Sequence, residues 1–376
     1  MKVALTRLGI AVTLTLVALT AACAPPAPSS GDKSGSKAAD ATSAADLGGL
    51  AKLVAAAKKE GQLNVIALPP DWANYGEIIK TFEQKYGIKV NSAQPDGSSQ
   101  DEVNAAKQLK GTKRAPDVFD LGLNVALANG DLFAPYQVRT WKDIPEALKQ
   151  PSGKYCSDYG GYMSIGYDAK KVPAPMSMTD LLKPAYKGKV ALNGDPTQAG
   201  AAFSGVVAAA LGSGGSADDV APGVDYFGRL KAKGNFLPVD PTPATIESGQ
   251  TPVVIDWDYL NAAQTASLSG KVDWKVVVPE NAVVGSYYVQ AINAGAPHPA
   301  AARLWEEFLF SDQGQNLWLK GSARPVRADA MASAGTIDKA AYAKLPKVSG
   351  EPVFLTSEQT DKAQKYVSEH WKQAVG

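Results

Sequence analysis

Short apolar strands alternate with amphipathic helices in this chain, and this alternation constrains its fold more than any other feature. Residues 63–68 form the first predicted strand, and the helix over 78–86 carries Ile, Phe and Tyr side chains at spacings of three and four. Gly87 is typical of the end of a helix, and 88–90 begins the second strand. A strand, a helix and a second strand in this order form a βαβ unit, which predicts an α/β fold.

The same pattern recurs along the chain, with polar loops between strand and helix. A strand at 189–192 leads through the loop 193–200 to an alanine-rich helix at 201–211, and residues 253–255 form another buried strand. Ligands of open α/β sheets bind beyond the carboxyl ends of the strands. The candidate site residues at these ends are Asp71, Trp72, Ser98, Ser99, Asp195, Gln198, Trp257 and Asp258.

Several of these residues have a competing structural interpretation. Ser98 or Ser99 can cap the helix that follows, and Asp195 can be a turn residue. Trp257 can belong to the edge of the core, with the neighbouring acids solvated. The loop at 193–200 lacks the Gly-Lys-Ser/Thr pattern of a nucleotide site, although free N–H groups at the following helix start can face a ligand.

The first 22 residues predict an export signal rather than part of the fold. Two basic residues precede an uncharged run at 8–19, which is too short for a membrane-spanning helix. Residues 19–23, Leu-Thr-Ala-Ala-Cys, resemble the lipobox of a bacterial lipoprotein. The resemblance implies cleavage before Cys23 and attachment of lipid to its sulfur. An ordinary secretory signal with a chance cysteine is the alternative.

The segment after the signal is predicted to be a tether. Residues 23–45 begin with the lipidated Cys23 and continue with Ala, Pro, Ser, Gly, Lys, Asp and Thr, without a large apolar side chain. Such a segment cannot bury enough apolar surface to order itself, so we expect it to be disordered and to hold the folded part off a membrane.

Charge and cysteine content argue against several classes of protein. Cleavage of the signal leaves 36 of the 38 basic residues against 37 acidic ones, and no basic stripe with interleaved aromatics indicates nucleic-acid binding. If Cys23 carries lipid, Cys156 has no partner for a disulfide. His298 and His370 lack metal-ligand spacing, and no Gly-x-Ser-x-Gly motif accompanies them. We therefore expect no metal or cofactor, and a secreted hydrolase or purely structural lipoprotein is the weaker reading.

The C-terminal part of the chain resembles a known family. A helix at 299–309 ends in Phe-Leu, a Ser-Asp-Gln-Gly-Gln turn follows at 311–315, and Pro-Val-Arg stands at 325–327. These features resemble the closing segment of the extracellular solute-binding proteins of ABC importers. The branch that looks most similar includes binders of polyamines, ferric iron, thiamine and phosphonates, and the resemblance covers residues 47–376.

This resemblance implies a type 2 periplasmic-binding-protein fold. It is an α/β fold of two lobes with a ligand cleft between them and two crossover strands, which we expect near residues 160 and 286. The first lobe is then expected to contain 46–160 and 286–322, and the second 161–285 and 323–376. The resemblance also implies a monomer, lipid-anchored outside the cytoplasm, that closes on a small molecule and docks on a membrane permease with ATPase subunits.

The resemblance further implies site residues and a ligand class. Asp71, Trp72 and Tyr75 occupy the first turn, where polyamine binders place acidic and aromatic side chains, and Trp257 and Asp258 follow the strand that carries their cleft tryptophan. A small organic cation, either polyamine-like or a primary or quaternary amine, suits tryptophan faces and carboxylates. Tyr288 falls near a position that is acidic in polyamine binders, so the expected pair of acids is incomplete here.

Two other ligands compete with an amine. Ferric-iron binders of the family use an adjacent tyrosine pair after the second-lobe strand, where this chain has Trp257-Asp258-Tyr259. Its own pair, Tyr287-Tyr288, lies within a predicted strand, in which neighbours point to opposite faces. A phosphonate or phosphate ester could use the helix start after 193–200, although no arginine lies in the candidate loops.

Overall fold

The structure is a computed structural model and describes residues 33–376. The predicted signal at 1–22, Cys23 and the first part of the tether lie outside the described residues. The strands are β1 (Gln62–Ile66), β2 (Lys89–Ala93), β3 (Val118–Gly122), β4 (Phe133–Ala134), β5 (Cys156–Asp168), β6 (Val190–Leu192), β7 (Val253–Trp257), β8 (Trp274–Val277), β9 (Gly285–Asn293) and β10 (Arg324–Pro325).

Helices separate most of these strands, as the alternating pattern predicts. Gly61 and Gly87 end the helices before them in the left-handed conformation, at φ 74° and 66°. The helices are α1 (Lys33–Asp40), α2 (Leu50–Glu60), α3 (Tyr75–Tyr86), α4 (Ser99–Gln108), α5 (Leu123–Ala128), α6 (Gly200–Gly212), α7 (Ala221–Ala232), α8 (Pro243–Ser248), α9 (Asp258–Ser267), α10 (Pro299–Leu309), α11 (Asp312–Lys320), α12 (Ala328–Ala334), α13 (Lys339–Tyr342) and α14 (Ser357–Val375).

The strands form a mixed rather than a purely parallel arrangement. β1 and β2 pair in parallel, as the predicted βαβ unit requires, and β6 pairs in parallel with β7. The larger sheet has the order β3-β9-β5-β7-β6. Its pairs β3–β9, β9–β5 and β5–β7 are antiparallel. β4 adds to β9, and β8 and β10 add to β5.

Two strands connect the lobes, near the predicted crossings. The first half of β5 pairs with β9, and its second half pairs with β7 and β8 of the second lobe. β9 begins beside Tyr162 and continues along β3 and β4 of the first lobe. The middle of β5 and the start of β9 therefore lie at the boundary between the lobes.

The second part of the predicted tether is ordered. Residues 33–40 form α1, and Ala38, Ala41 and Ala44 are buried. The buried Arg303 of α10 donates hydrogen bonds to the backbone oxygens of Ala39 and Ala41 at 2.6 and 2.8 Å. The prediction of disorder considered only the side chains of the segment itself. Alanines can pack closely when a neighbouring helix supplies the apolar surface and satisfies the carbonyl groups at the helix end.

Part of the segment assigned to the second lobe lies against the first. β10 pairs with β5 at Tyr159 and Gly160, and Arg327 forms ion pairs of 2.6 and 2.9 Å with Asp143 and Asp312. α13 packs against α11. α14, in contrast, packs mainly against α7 of the second lobe and also reaches α5 of the first. Among residues 33–376, no helix combines the length and the apolar character needed to cross a membrane.

Candidate functional site

A cavity of about 460 Å³ lies where the two lobes and the C-terminal segment meet. The end of β3 and the start of α5 form one side, and the start of α6 with the last residue of β7 forms another. Residues within 147–157 and at the starts of β9 and of α14 complete the lining. The lining includes Gly122, Asn124, Lys149, Ser157, Gly200, Phe203, Ser204, Trp257, Ser286, Tyr287, Tyr288, Phe354, Thr360 and Gln364.

Five aromatic side chains from both lobes pack together beside this cavity. Tyr288 stacks on Tyr159 with ring centroids 5.5 Å apart, and Trp257 stacks on Tyr259 at 6.3 Å. Trp72 makes T-shaped contacts with Tyr288 at 5.7 Å and with Tyr259 at 6.0 Å. We call these five residues the aromatic cluster. Because Tyr259 and Trp257 come from the second lobe and the other three from the first lobe or its crossover strands, the cluster joins the lobes.

Trp257 reaches the cavity because of its place in the chain. Val253, Val254 and Ile255 form a buried β-branched strand, and α9 begins directly after Trp257. The tryptophan is only 2% exposed, yet it lines the cavity. Its Nε1 lies near the Tyr288 hydroxyl without a well-formed hydrogen bond to any described residue.

A buried carboxyl group lies directly behind the aromatic cluster. Tyr159 donates a hydrogen bond of 3.0 Å to Asp120 Oδ2, and Gln290 donates one of 3.2 Å to Oδ1. Trp72 Nε1 in turn donates to the Tyr159 oxygen at 2.8 Å. Burial raises the pKa of Asp120 to about 7, although the hydrogen bonds from Tyr159 and Gln290 to its carboxylate oppose the shift. Near neutral pH a positive charge in the cavity would favour the ionised form.

A second buried carboxyl group lies on the other lobe. Asp256 is 6% exposed and precedes Trp257 in β7. Its Oδ1 accepts a hydrogen bond of 2.8 Å from the backbone N–H of Trp257. Burial raises its pKa to about 7, with a partly compensating hydrogen bond from Asn193. Burial is the main cause of the raised pKa values of Tyr259 and Tyr288, and the negative charge of Asp256 adds to both shifts. The cluster thus has a titrating acid on each side.

Uncharged polar groups line the rest of the cavity. Five of these residues make no side-chain hydrogen bond within the described chain, so their polar groups are available to a ligand. These residues are Asn124, Ser157, Ser204, Ser286 and Gln364.

Lys149 is the charged residue of the lining, and its amine is already engaged. Nζ donates to the backbone oxygens of Trp141 and Ile144 at 3.0 and 2.9 Å and pairs with Glu146 at 2.7 Å. No other lysine or arginine, and no Asp or Glu, is among the lining residues in the described part of the chain. A ligand in this cavity therefore meets aromatic rings and neutral hydrogen-bonding groups first.

The structure brings some of the sequence-predicted residues together. Trp257 and Tyr288 line the cavity, and Trp72 contacts Tyr288 from behind. Tyr75 is fully buried beneath them, where its hydroxyl accepts a hydrogen bond of 3.1 Å from Gln290 and its ring packs on Trp318 at 4.9 Å. Its place is in the core of the first lobe, one layer below the cluster.

The predicted serines have structural partners. Ser98 caps α4 by accepting a hydrogen bond from the Asp101 N–H at 3.3 Å, and the Ser98 backbone N–H donates one to the Asp101 carboxylate at 2.9 Å. Ser99 Oγ accepts from the Gly122 N–H at 3.0 Å. Since Gly122 lines the cavity, Ser99 fixes the position of that wall without lining it.

The predicted acids and Gln198 lie away from the cavity. Asp195 is an exposed turn residue whose Oδ1 accepts from the Thr197 backbone and hydroxyl, each at 2.8 Å. Gln198 is exposed in the same turn and donates to Thr197 at 3.2 Å. Asp71 is exposed on the surface of the first lobe. None of the three is among the lining residues.

Asp258 is buried and already paired. Its carboxylate forms an ion pair of 2.8 Å with Arg324 and accepts a hydrogen bond of 3.0 Å from the Tyr162 N–H. A side chain on Gly161 would clash with it, so the crossover glycine makes room for this packing. Burial raises the pKa of Asp258 and Arg324 opposes that shift. This carboxylate links β5, α9 and β10 and does not line the cavity.

Sequence reasoning missed two kinds of site residue. Asn124 follows β3, so the rule that ligands bind beyond strand ends could have found it. Ser157 lies at the start of β5, where that rule does not apply. Asp120 lies inside β3 and Phe354 lies far along the chain. Only their packing against the cluster and the cavity reveals them.

The histidines take no part in this site. His298 Nδ1 lies 2.9 Å from Asp117, and its Nε2 lies 2.8 Å from Gln62, at the start of α10. His370 stacks on Tyr366 with centroids 4.0 Å apart. Across residues 33–376, no group of three or more His, Cys, Asp or Glu side chains is arranged to hold a metal ion. A second cavity, of about 360 Å³, lies between residues 217–221 and α14 and contains none of the candidate residues.

Comparison with known proteins places this architecture in a family. The sequence profile of the family described as bacterial extracellular solute-binding protein matches residues 116–347. Iron-bound HitA from Pseudomonas aeruginosa is a similar solved structure, with 21% sequence identity, a TM-score of 0.62, and coverage of 84% of this chain and 99% of that one.

Two further solved structures show the same likeness. A putative spermidine/putrescine ABC transporter from Listeria monocytogenes has 14% identity, a TM-score of 0.64, and coverage of 83% of this chain and 99% of that one. The periplasmic binding protein AfuA from Actinobacillus pleuropneumoniae, with fructose-6-phosphate bound, has 18% identity, a TM-score of 0.63, and the same two coverages. These similarities confirm the predicted two-lobed type 2 periplasmic-binding fold, which evidently accommodates chemically different ligands.

Proposed function

Because this chain belongs to the bacterial extracellular solute-binding proteins, we propose that it captures a small organic cation in the cavity and delivers it to the permease of an ABC importer. The observation that carries the proposal is the composition of the lining. Aromatic rings and neutral polar groups face the cavity, while the one lysine there is engaged by backbone oxygens and Glu146.

Aromatic faces attract cations electrostatically. Each contact between an ammonium group and a ring contributes about 0.5–2 kcal/mol, and more when water is excluded. Trp257 and Tyr288 are such faces, and Asn124 and Ser157 can accept hydrogen bonds from a primary amine. Asp120 and Asp256 supply negative charge behind the rings, where the low local dielectric strengthens its effect.

A cation with one amine centre suits this cavity better than a long polyamine. Asp71 and Asp258 were expected to supply carboxylates for an amine, but Asp71 is on the surface and Asp258 is paired with Arg324. Among the described residues, no carboxylate lines the cavity to replace them. The proposed ligand is therefore a compact primary or quaternary amine.

The two competing ligands fit the lining less well. Tyr287 packs toward Phe354 with centroids 6.1 Å apart, whereas Tyr288 stacks on Tyr159, so the pair diverges instead of meeting one ferric ion. A phosphate ester could approach the start of α6 at Gly200. It would lack a free cationic side chain there, which a dianion ordinarily requires.

The position of the protein follows in part from its family, which acts outside the cytoplasm. We further propose that Cys23, which precedes the described residues, carries the lipid that anchors a monomer to the cell membrane. The full-length protein should partition with membranes, and Cys23→Ala should release it into the soluble extracytoplasmic fraction. Equal membrane association of both forms would contradict the anchor without affecting the binding proposal.

A ligand screen tests the proposed function. Purified protein is heated with choline, putrescine, spermidine, ferric citrate, glycerol 3-phosphate or glucose, and the midpoint of unfolding is recorded. A ligand at 100 times its Kd stabilises the fold by about 2.7 kcal/mol, which shifts the midpoint by a few degrees. A shift with amines alone supports the proposal, whereas a shift with ferric ion, the phosphate ester or the sugar alone overturns it.

A further inference from the structure

The C-terminal segment forms a third wall of the cavity that belongs to neither strand-end loop. We define residues 353–364 as the C-terminal strap. The Gly285 N–H donates to the Val353 oxygen at 2.9 Å, and the Val353 N–H donates to the Val283 oxygen at 2.8 Å. These bonds attach the strap to the start of β9, at the boundary between the lobes.

Phe354 occupies an unusual place in this strap. Its side chain is 44% exposed, although it lines the cavity. Its ring packs against those of Tyr162 and Tyr287, with centroids 6.4 and 6.1 Å apart. A side chain on Gly285 would collide with the Phe354 ring, so glycine at this position lets the ring lie across β9. A ligand that fills the adjacent part of the cavity would bury more of this ring.

The rest of the strap fixes Phe354 without burying it. Thr356 caps α14 by accepting a hydrogen bond from the Gln359 N–H at 3.2 Å, and the Thr356 backbone N–H donates one to Gln359 Oε1 at 3.0 Å. Further along α14, Trp371 packs on Phe227 of α7 at 5.2 Å. The strap is therefore attached to β9 at one end and continues at the other into the part of α14 that packs on the second lobe, with Phe354 beside the first attachment.

We infer that Phe354 is a specificity-determining residue that limits the size of the ligand the cavity accepts. Its ring covers the part of the cavity next to Tyr287, and Gln364 on the following helix adds a free amide to the same wall. The positive charge assumed for the ligand rests on the proposed function. The wall that the C-terminal strap forms does not depend on it.

The test compares two cations of different size. The Kd of choline and of benzyltrimethylammonium is measured by calorimetry for the wild type, for Phe354→Ala and for Tyr342→Ala. Tyr342 is a matched control because it is an aromatic residue of similar exposure, 41%, on α13 and away from the cavity. We expect Phe354→Ala to raise the ratio of choline Kd to benzyltrimethylammonium Kd at least tenfold, and Tyr342→Ala to leave it within twofold.

A second variant approaches the same contact from the opposite side. Gly285→Ala should push the ring away and raise the ratio in the same direction as Phe354→Ala, and the midpoint of unfolding confirms that each variant is folded. An unchanged ratio in folded Phe354→Ala overturns the inference. If the wild type binds glycerol 3-phosphate instead of either cation, the cation proposal fails. The same variants are then compared on glycerol 3-phosphate and the larger glucose 6-phosphate, where an unchanged ratio again overturns the role of Phe354.

Discussion

Tyr159 donates a hydrogen bond of 3.0 Å to the buried carboxyl group of Asp120, and its ring stacks on Tyr288 at the cavity wall. The pair connects an acid that titrates near neutral pH to the surface that a ligand would touch. The same hydroxyl accepts a hydrogen bond from Trp72. Charge in the cavity and the protonation of Asp120 are therefore linked through a single aromatic layer.

Affinity for a cation should rise with pH through neutrality. The pKa values of Asp120 and Asp256 are raised to about 7, so both carboxyls are largely neutral at pH 5.5 and ionised at pH 8.5. A cation favours the ionised form, which strengthens binding by at most about tenfold per pH unit for each linked proton. Calorimetric titration of choline at pH 5.5, 7.0 and 8.5 measures the slope. Asp256→Asn should reduce it, and a flat wild-type profile would contradict the linkage.

The stability of the ligand-free protein should change with pH in the opposite direction. The folded-state pKa of Asp256 is about 7, above its unfolded value of about 3.9. Its contribution is therefore fully present below pH 4 and is lost as pH rises through 7, at up to about 1.4 kcal/mol per pH unit. Urea unfolding at pH 5 and 8 should show a smaller difference for Asp256→Asn than for the wild type. The exposed Asp71→Asn is the control, and equal slopes in all three proteins would refute the assignment.

Replacement of Trp257 should weaken binding beyond its effect on stability. Trp257→Leu removes a cation–π face and should raise the Kd of an amine about 2- to 30-fold, which corresponds to about 0.5–2 kcal/mol. Trp305→Leu is the matched control, since Trp305 is fully buried in α10 and packs on Phe82 rather than at the cavity. Calorimetry at low temperature compares the folded proteins. A similar Kd for both variants would remove Trp257 from the site.

Asp258 should prove to be a residue of the fold rather than of the ligand. Asp258→Ala leaves Arg324 largely buried without its carboxylate, and breaking such a pair costs about 3–5 kcal/mol of unfolding free energy. Affinity of the remaining folded protein should stay within about threefold of the wild type, since a contact that is not made contributes nothing to binding. Urea unfolding and calorimetry measure the two effects. A large loss of affinity without loss of stability would restore Asp258 to the site.

Local sequence signals predicted much of this architecture. The β-branched run before Trp257 identified β7, and the rule of strand ends placed that tryptophan at a cavity. Glycine at 61 and 87 marked helix ends that the structure shows. Both signals depend on neighbours in the chain. Asn74 shows the limit of such signals. Asparagine before a helix is typical of a cap, but Asn74 stands at the start of α3 in the left-handed conformation and its side chain donates to the Leu317 oxygen.

The parts that could not be predicted depend on distant packing. Val353 pairs with residues about 70 positions earlier in the chain, and no local pattern marks that contact or the gap that Gly285 leaves for Phe354. The order of residues 37–45 likewise depends on Arg303. Tyr288 was found only through the family resemblance, because nothing in its own strand distinguishes it from Tyr287.

The most direct test of the central claim compares a cation with its neutral isostere. Choline and 3,3-dimethylbutan-1-ol share shape and hydroxyl group and differ in the charge of the central atom. Calorimetric titration of the wild type at pH 8 should show choline binding at least tenfold more tightly, because only choline interacts electrostatically with the aromatic faces and the ionised Asp120 and Asp256. Equal affinities, or tighter binding of the alcohol, would contradict a cation site in this cavity.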